Sequence, residues 1–346
     1  MIESLYFFAI FIGFAFPNHI FIRFFQVVVI IFLFALNVEN ADYQNYLNTY
    51  DSIKNRDIYY DYFLSYEYGY QAIANFFSSI DMSFFVFRFF CITTALILIN
   101  KAFKILSPKY VNCLFSLYLI FPFLLDVIQI RNFIGLSICI YAFALYFDSK
   151  FTEKNKYIFG TILGSFFQVT LLSYLLLLFL NSKTRLLIPF FAIFFFTNIY
   201  FFNYIISNFP VSLYFQTETS LTTQIALPAL MIFIISFISF CGVNHIRFKI
   251  YKTKLINSLI FVLLFISPIL SMNVEFFRLF RNFIPLCFPL VFLIHKSYVN
   301  IIFKYLVILF VIFILFYYKY IFSNFSGVYM ALFEENNHIL FSVLNN

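Results

Sequence analysis

Three arginines lie where apolar segments begin, a position at which a charged side chain calls for an explanation. Arg131 opens a long apolar run, and Arg278 and Arg281 lie close together at the start of another. Because Arg278 and Arg281 are three residues apart, a helix would place them on one face. The guanidinium group suits bidentate binding of phosphate oxygens. The three arginines therefore predict a shared site for an anion.

A single arginine at such a position has a simpler explanation. Its stem can lie in the hydrocarbon while its charge reaches the lipid headgroups, or it can form an ion pair with Asp126 or Glu275. Three arginines on the outer side of the membrane, which otherwise holds few arginines, favour a common anionic ligand instead. The helix N-termini expected at the same depth add a favourable dipole for an anion.

Composition places these arginines in an integral membrane protein. The chain has 346 residues, of which 63% are hydrophobic and 11% charged, whereas soluble domains carry about 25% charged residues. Apolar runs of about 17 residues or more recur along the chain, and each can cross a hydrocarbon core of roughly 30 Å. The five cysteines lie inside apolar runs without metal-ligand spacing, so we expect buried thiols rather than disulfides.

The fold predicted from these runs is an all-α polytopic membrane protein with about ten full transmembrane helices. They form a single transmembrane domain, residues 1–346, and the N-terminal segment is expected to be a retained first span. Lysines flank the block 157–180 on both sides, which favours a hairpin of two half-helices that meet near Gln168. A single span through this block is the alternative. The predicted full spans are 4–17, 20–36, 83–103, 110–125, 130–147, 186–208, 225–243, 255–270, 277–295 and 299–317.

The basic residues orient these spans. With the N-terminus outside, the cytoplasmic turns hold most of the 22 Lys and Arg residues but only Asp148 and Glu153 of the 15 acidic residues. By the positive-inside rule, the sequence predicts that both termini lie on the outer, periplasmic side of the membrane. The C-terminal tail, 319–346, would then be external.

The loop 37–70, rich in tyrosine and acidic residues, would also be external, that is periplasmic. Its tyrosines fit either an interfacial belt or a surface that binds sugars. The apolar run 69–80 that follows is too short to span and is expected to be a re-entrant or interfacial helix.

The sequence contains no P-loop, no GxGxxG and no HExxH, and none of its four histidines is expected beside the arginines. We therefore expect no nucleotide cofactor, no metal and no nucleic acid partner. The anion that an outer-leaflet site would meet is a pyrophosphate on a polyprenyl lipid, because the lipid tail holds it at this depth.

Five short segments occur in an order similar to that of a known family. They are ADYQNY (41–46), YEYGYQAI (66–73), QIRNFIGLSI (129–138), SFFQVTLLSY (165–174) and FFRLFRNF (276–283). Together they resemble the EpsG-like family of polysaccharide polymerases, the Wzy type, over about residues 1–300. Each motif is weakly specific alone, and the ordered set is more specific.

The resemblance implies roles for the residues at matching positions. Gln168 stands where the family usually has histidine, so the resemblance does not extend to proton transfer there, although glutamine can bind a hydroxyl or a phosphate oxygen. Asp42 or Glu67 would orient an acceptor hydroxyl or act as its base. The implied catalytic residues are Asp42, Glu67, Arg131 and Arg278, and the implied substrate-binding residues are Tyr43, Tyr46, Gln129, Gln168 and Arg281.

The function that the resemblance implies is polymerisation of lipid-linked oligosaccharide repeat units at the outer face of the bacterial cytoplasmic (inner) membrane, as in O-antigen, capsule or exopolysaccharide synthesis. Donor and acceptor would both be carried on polyprenyl pyrophosphate, and a chain-length regulator and a flippase would be partners. One alternative is a flippase or transporter, although such proteins often carry internal repeats, which this chain lacks. The others are another membrane transferase, such as an O-antigen ligase or an acyltransferase, and a scaffold without enzymatic activity.

Overall fold

The computed structural model describes residues 2–38, 40, 42–55, 68–181 and 277–292, and every regular element in them is helical. The predicted all-α class is therefore confirmed for this part of the chain. Residues up to Leu172 belong to one compact unit, and Ser173–Ile294 belong to a second. The helices are α1 (Ile2–Ala15), α2 (Ile20–Leu36), α3 (Tyr43–Asn55), α4 (Tyr68–Ser79), α5 (Phe84–Leu106), α6 (Val111–Ile120), α7 (Phe123–Asp126), α8 (Ile130–Asp148), α9 (Lys154–Ser165), a 3-10 helix (Val169–Asn181) and α10 (Phe277–Phe292).

Two helices in the described part of the chain are long and apolar enough to cross a membrane, namely α5 with 23 residues and α8 with 19. At 1.5 Å per residue they are about 35 Å and 28 Å long, close to the thickness of the hydrocarbon core. They coincide with the predicted spans 83–103 and 130–147. Shorter apolar helices cover Ile2–Ala15, Ile20–Ala35, Val111–Ile120 and Val169–Leu178. The predicted spans 186–208, 225–243, 255–270 and 299–317 lie outside the described residues.

The predicted span 110–125 is divided in the structure. Helix α6 ends at Ile120, and the short helix α7 begins only at Phe123. Pro122 lies between them, and a proline has no backbone N–H to continue the hydrogen-bond ladder of a helix. The predicted span 277–295 corresponds to α10, which accommodates two prolines, Pro285 and Pro289.

The core of the first unit forms where α5 packs along α8. The outer face of α5 instead leaves Phe85 55% exposed, as suits a side chain in contact with lipid. Three cysteines, Cys91, Cys113 and Cys139, are free and buried, as the sequence predicts. One face of α5 is buried at every fourth residue, through Phe87, Cys91, Ala95 and Ile99.

Helices α8 and α9 approach each other closely because glycines line their contact. A Cβ atom added at Gly164 would lie 2.5 Å from the sulfur of Cys139 and 2.8 Å from the carbonyl oxygen of Gly135. One added at Gly160 would lie 2.5 Å from the Cβ of Ala142. Glycines four residues apart let two helix backbones meet in a membrane, where van der Waals packing drives association.

A buried polar network joins α1, α2 and α6. The side-chain nitrogen of Gln26 lies 3.1 Å from the Ala9 carbonyl oxygen, 3.2 Å from the Asn112 carbonyl oxygen and 3.0 Å from the Ser116 hydroxyl. The Asn112 side chain donates in turn to the carbonyl of His19, at 3.0 Å. Since buried polar groups require partners, this network specifies how the first two helices dock on α6.

The glycine contact predicts the effect of adding volume between α8 and α9. Gly164→Leu should force the two helices apart, and overpacking of this kind destabilises by about 1–3 kcal/mol. The measurement is the apparent Tm of the purified protein in detergent, which should fall. Leu163→Phe is the control, because it adds volume at a position that is 40% exposed. A Gly164→Leu variant with the Tm of the wild type would contradict the close approach.

Candidate functional site

Arg131 is held over tyrosine rings at the start of α8. Its guanidinium carbon lies 5.0 Å from the ring centroid of Tyr46 and 6.0 Å from that of Tyr70. Its Nε also donates to the Tyr46 hydroxyl at 3.4 Å, a long hydrogen bond. Because a cation within about 6 Å of an aromatic face is attracted to it, the two rings fix where the charge of Arg131 lies.

Helix α3 presents its tyrosines from one face. Tyr43, Tyr46 and Tyr50 are spaced three and four residues apart, as on a helix surface. The Tyr50 ring stacks on Phe87 of α5 at 5.1 Å, and its hydroxyl donates to the Met82 carbonyl at 2.9 Å. The tyrosine-rich loop thus contains a helix that packs on the start of α5, and Tyr46 and Tyr50 are buried.

A second arginine, Arg88, approaches the same helix from α5. Its side chain is only 4% exposed. Its Nη2 donates to the carbonyl oxygen of Asn37 at 2.8 Å, and its guanidinium carbon lies 5.0 Å from the Tyr43 ring centroid. Arg88 lies inside the predicted span 83–103, and no sequence motif gives it a role. The signal that could have found it is an ionisable residue within an apolar segment, which by default indicates function.

Tyr70 of α4 lies among these groups. It is fully buried, and its ring is 5.8 Å from that of Tyr46. Burial raises the pKa of its hydroxyl well above the ordinary value, Tyr46 acts in the same direction, and Arg131 and Arg88 act in the opposite direction. Tyr70 is therefore a neutral phenol close to both guanidinium groups. We call Tyr43, Tyr46, Tyr70, Arg88 and Arg131 the arginine–tyrosine cluster.

The starts of α5 and α8 lie at the same end of the first unit, because both contact α3. Phe84, the first residue of α5, lies 5.6 Å from Tyr43 between ring centroids, and Arg131, the second residue of α8, lies over Tyr46. The two helices therefore run in the same direction. Their N-terminal dipoles both add positive potential at the cluster.

The glycine of the second motif joins this cluster to the fourth motif. The Gly69 N–H donates to the Phe166 carbonyl at 3.0 Å, and a Cβ at Gly69 would lie 3.1 Å from the Phe167 ring. Residues 166–168 separate α9 from the 3-10 helix, so the helix breaks beside Gln168. Gly135 of the third motif also faces this break, since its Cβ would lie 3.1 Å from the Cβ of Phe167.

The first three motifs and the start of the fourth therefore come together in the first unit, although about 120 residues separate the first motif from the fourth. Of the predicted site residues, Tyr43, Tyr46 and Arg131 are members of the cluster. Asp42 directly precedes α3, and its backbone N–H donates to the side chain of Asn40 at 3.1 Å. Gln129 occupies the N-cap position of α8. Gln168 is half-buried at the helix break, and Glu67 lies outside the described residues.

The fifth motif belongs to the second unit. Arg278 lies in the first turn of α10, and Arg281 is buried, with 2% of its surface exposed. The Tyr174 hydroxyl donates to the Asn282 carbonyl at 2.6 Å, and the Tyr174 ring stacks on Phe283 at 4.8 Å. The end of the fourth motif thus contacts the fifth. Whether the three predicted arginines share one anion stays a prediction.

A comparison with family models matches the EpsG family over residues 5–334. Neither the curated proteins nor the solved structures give a match. The family match includes all five motifs and the whole of the arginine–tyrosine cluster. Since the match extends over almost the full length, the chain belongs to the EpsG family.

Proposed function

We propose that this protein polymerises lipid-linked oligosaccharide repeat units at the outer face of a bacterial cytoplasmic membrane. Membership of the EpsG family supports a role in polysaccharide synthesis. The observation that carries the proposal is the meeting of three sequence-distant motifs at Arg131, at the start of a helix long enough to span, with the fourth motif packed against Gly69 and Gly135. The product would be an O-antigen, a capsule or an exopolysaccharide.

The reaction is glycosyl transfer between two lipid-linked chains. A hydroxyl of the acceptor sugar attacks the anomeric carbon of the donor, the bond from that carbon to the pyrophosphate oxygen breaks, and polyprenyl pyrophosphate leaves. The hydroxyl proton passes to a carboxylate, for which Asp42 and Glu67 are the candidates. Because negative charge develops on the leaving group, fixed cations stabilise the transition state more than an acid catalyst would.

Arg131 is suited to that role by its surroundings. The uncharged rings of Tyr46 and Tyr70 lie against its guanidinium and help to hold its charge in place. A preorganised cation of this kind loses little free energy to reorganisation when the reaction occurs. We propose phosphate binding as the role of Arg278 and Arg281 in α10 as well, and Gln129 and Gln168 would bind the sugar or the phosphate through their amides.

The proposed topology places the arginine–tyrosine cluster in the periplasm. Both termini would be periplasmic, the block 157–180 would form a half-helix hairpin, and the remaining predicted spans would complete the domain. The helix break at residues 166–168 supports the hairpin. A chain-length regulator and a flippase for the lipid-linked substrate are the proposed partners.

The topology predicts which turns a reagent outside the cell can reach. In a background without native cysteines, Met82→Cys precedes α5 and Lys109→Cys follows it, and both positions are exposed. A membrane-impermeant maleimide added to spheroplasts should label Met82→Cys but label Lys109→Cys only after lysis. The opposite pattern would place the cluster in the cytoplasm and contradict an outer-face reaction.

The proposed chemistry predicts that Arg131 is required for polymerisation. In the native host that lacks the gene, wild type should restore the polysaccharide ladder, and Arg131→Ala should leave a single-repeat band, since removal of one stabilising group lowers the rate about 100- to 1,000-fold. Failure of Arg131→Lys as well would favour bidentate binding over charge alone.

Lys54→Ala is the matched control for this experiment. Lys54 forms a solvent-exposed ion pair with Asp81, at 3.0 Å, and such pairs contribute little to stability. The Lys54→Ala variant should produce a full ladder. A full ladder from cells that lack the gene would contradict polymerisation, and loss of even the single-repeat band would favour a flippase.

Tyr46 should act through its ring more than through its hydroxyl. Tyr46→Phe keeps the ring and loses the long, 3.4 Å hydrogen bond to Arg131, so ladder length should be close to that of wild type. Tyr46→Leu removes the aromatic face, worth about 0.5–2 kcal/mol to a cation, and should shorten the ladder clearly. Equal effects of the two substitutions, at equal expression, would contradict positioning of Arg131 by the ring.

A further inference from the structure

We propose that Arg88 is a second cationic residue of the site and that Arg88 and Arg131 together bind the two linked phosphates of a diphosphate. This inference rests on the proposed function, because it assigns part of the same lipid-linked substrate to a residue for which neither the motifs nor the family resemblance gives a role. Arg88 would interact with the phosphate that Arg131 does not reach.

The first argument is position. The guanidinium of Arg88 lies over Tyr43, and that of Arg131 lies over Tyr46, each 5.0 Å from the ring centroid. Tyr43 and Tyr46 are one helical turn apart on α3, a separation of roughly 5–6 Å between Cβ atoms. The two cations therefore contact the same short helix at residues one turn apart, as the binding of two linked anionic groups would require.

The second argument is charge. Arg88 is 4% exposed, and its partners among the described residues are a carbonyl oxygen and a ring, both neutral. No carboxylate in the described part of the chain forms an ion pair with it. A buried charge is unfavourable unless it is paired. A bound anion would supply the opposite charge that Arg88 lacks among the described residues.

The third argument is an unsatisfied donor at the same place. The Tyr70 hydroxyl is fully buried and makes no hydrogen bond within the described residues. Such a group is costly to bury without a partner. Since the Tyr70 ring lies 6.0 Å from the guanidinium carbon of Arg131 and packs on Phe87, the residue next to Arg88, an oxygen of a ligand between the two cations could accept the hydrogen bond of its hydroxyl.

A purely structural role for Arg88 makes a different prediction. Its hydrogen bond to Asn37 and its contact with Tyr43 tie the end of α2 to the start of α3. If Arg88 had only this structural role, its loss would lower the affinity for every ligand equally or destabilise the fold. If Arg88 binds a phosphate, its loss must reduce the preference for a diphosphate over a monophosphate.

The test is binding of two lipids to the full-length protein in nanodiscs. Polyprenyl diphosphate and polyprenyl monophosphate of equal chain length are titrated separately, and the ratio of their Kd values is compared. Wild type should prefer the diphosphate by about tenfold or more, which corresponds to 1.4 kcal/mol or more. Arg88→Gln should reduce this preference to about threefold or less, mostly by raising the Kd of the diphosphate lipid.

Arg23→Gln is the matched control, because Arg23 is also a buried arginine with neutral partners. It donates to the side chains of Asn112 and Asn18, away from the cluster. Its substitution should leave the diphosphate preference unchanged. Arg88→Lys keeps the charge but loses the planar fork, so its preference should be intermediate. The Arg88→Lys variant also tests whether Arg88 binds a phosphate if Arg88→Gln does not yield monodisperse protein.

The outcomes separate the two proposals. An unchanged preference in Arg88→Gln and Arg88→Lys, or equal weakening of both lipids, would overturn the role of Arg88 and leave the proposed function intact. A wild type that binds neither lipid, or binds both equally, would overturn the diphosphate substrate itself. Loss of preference in the Arg88 variants, with Arg23→Gln unaffected, is the result that we expect.

Discussion

The placement of two guanidinium charges against tyrosine rings is the interaction on which the first unit depends. Arg88 and Arg131 never lose their charge, and Arg88 is almost completely buried. Ring faces and carbonyl oxygens can accept such a cation without neutralising it. Because α3 and α4 supply these partners, they pack on the starts of α5 and α8. The polar loop that contains α3 is therefore part of a packed site.

Glycines complete the same arrangement through the backbone. A Cβ atom would lie 2.6 Å from the Gly164 carbonyl oxygen at Gly135 and 2.8 Å from the Gly135 carbonyl oxygen at Gly164, so glycine is required for this approach of α8 and α9. At Gly69 a Cβ atom would lie 3.1 Å from the Cβ of Phe166, a tight contact. Through these contacts the break at residues 166–168 lies against α4 and α8. The helix break, the tyrosine helix and the arginines are therefore one packed unit, in which a change to one contact alters the others.

Sequence patterns predicted some elements well and others poorly. The segments that form α5 and α8 were recognisable because each is apolar over nearly its full length. Arg131 was recognisable because it is a charged residue at the start of such a segment. Helix α3 was not anticipated, since its mean hydropathy is low and its burial comes from tyrosines on one face. The surroundings of Arg88 were not predicted, because no local pattern shows that it will contact Asn37 and Tyr43.

The amino-acid sequence by itself determined the class of the protein, its helical character and its family resemblance. Hydrophobicity and motif order are properties of residues along the chain, so they can be assessed without knowledge of contacts. Only the tertiary structure decided that Tyr43, Tyr46, Tyr70, Arg88 and Arg131 form one cluster. Such a cluster is a matter of distance between segments far apart in sequence, and those distances are set by how α3 and α4 pack on α5 and α8.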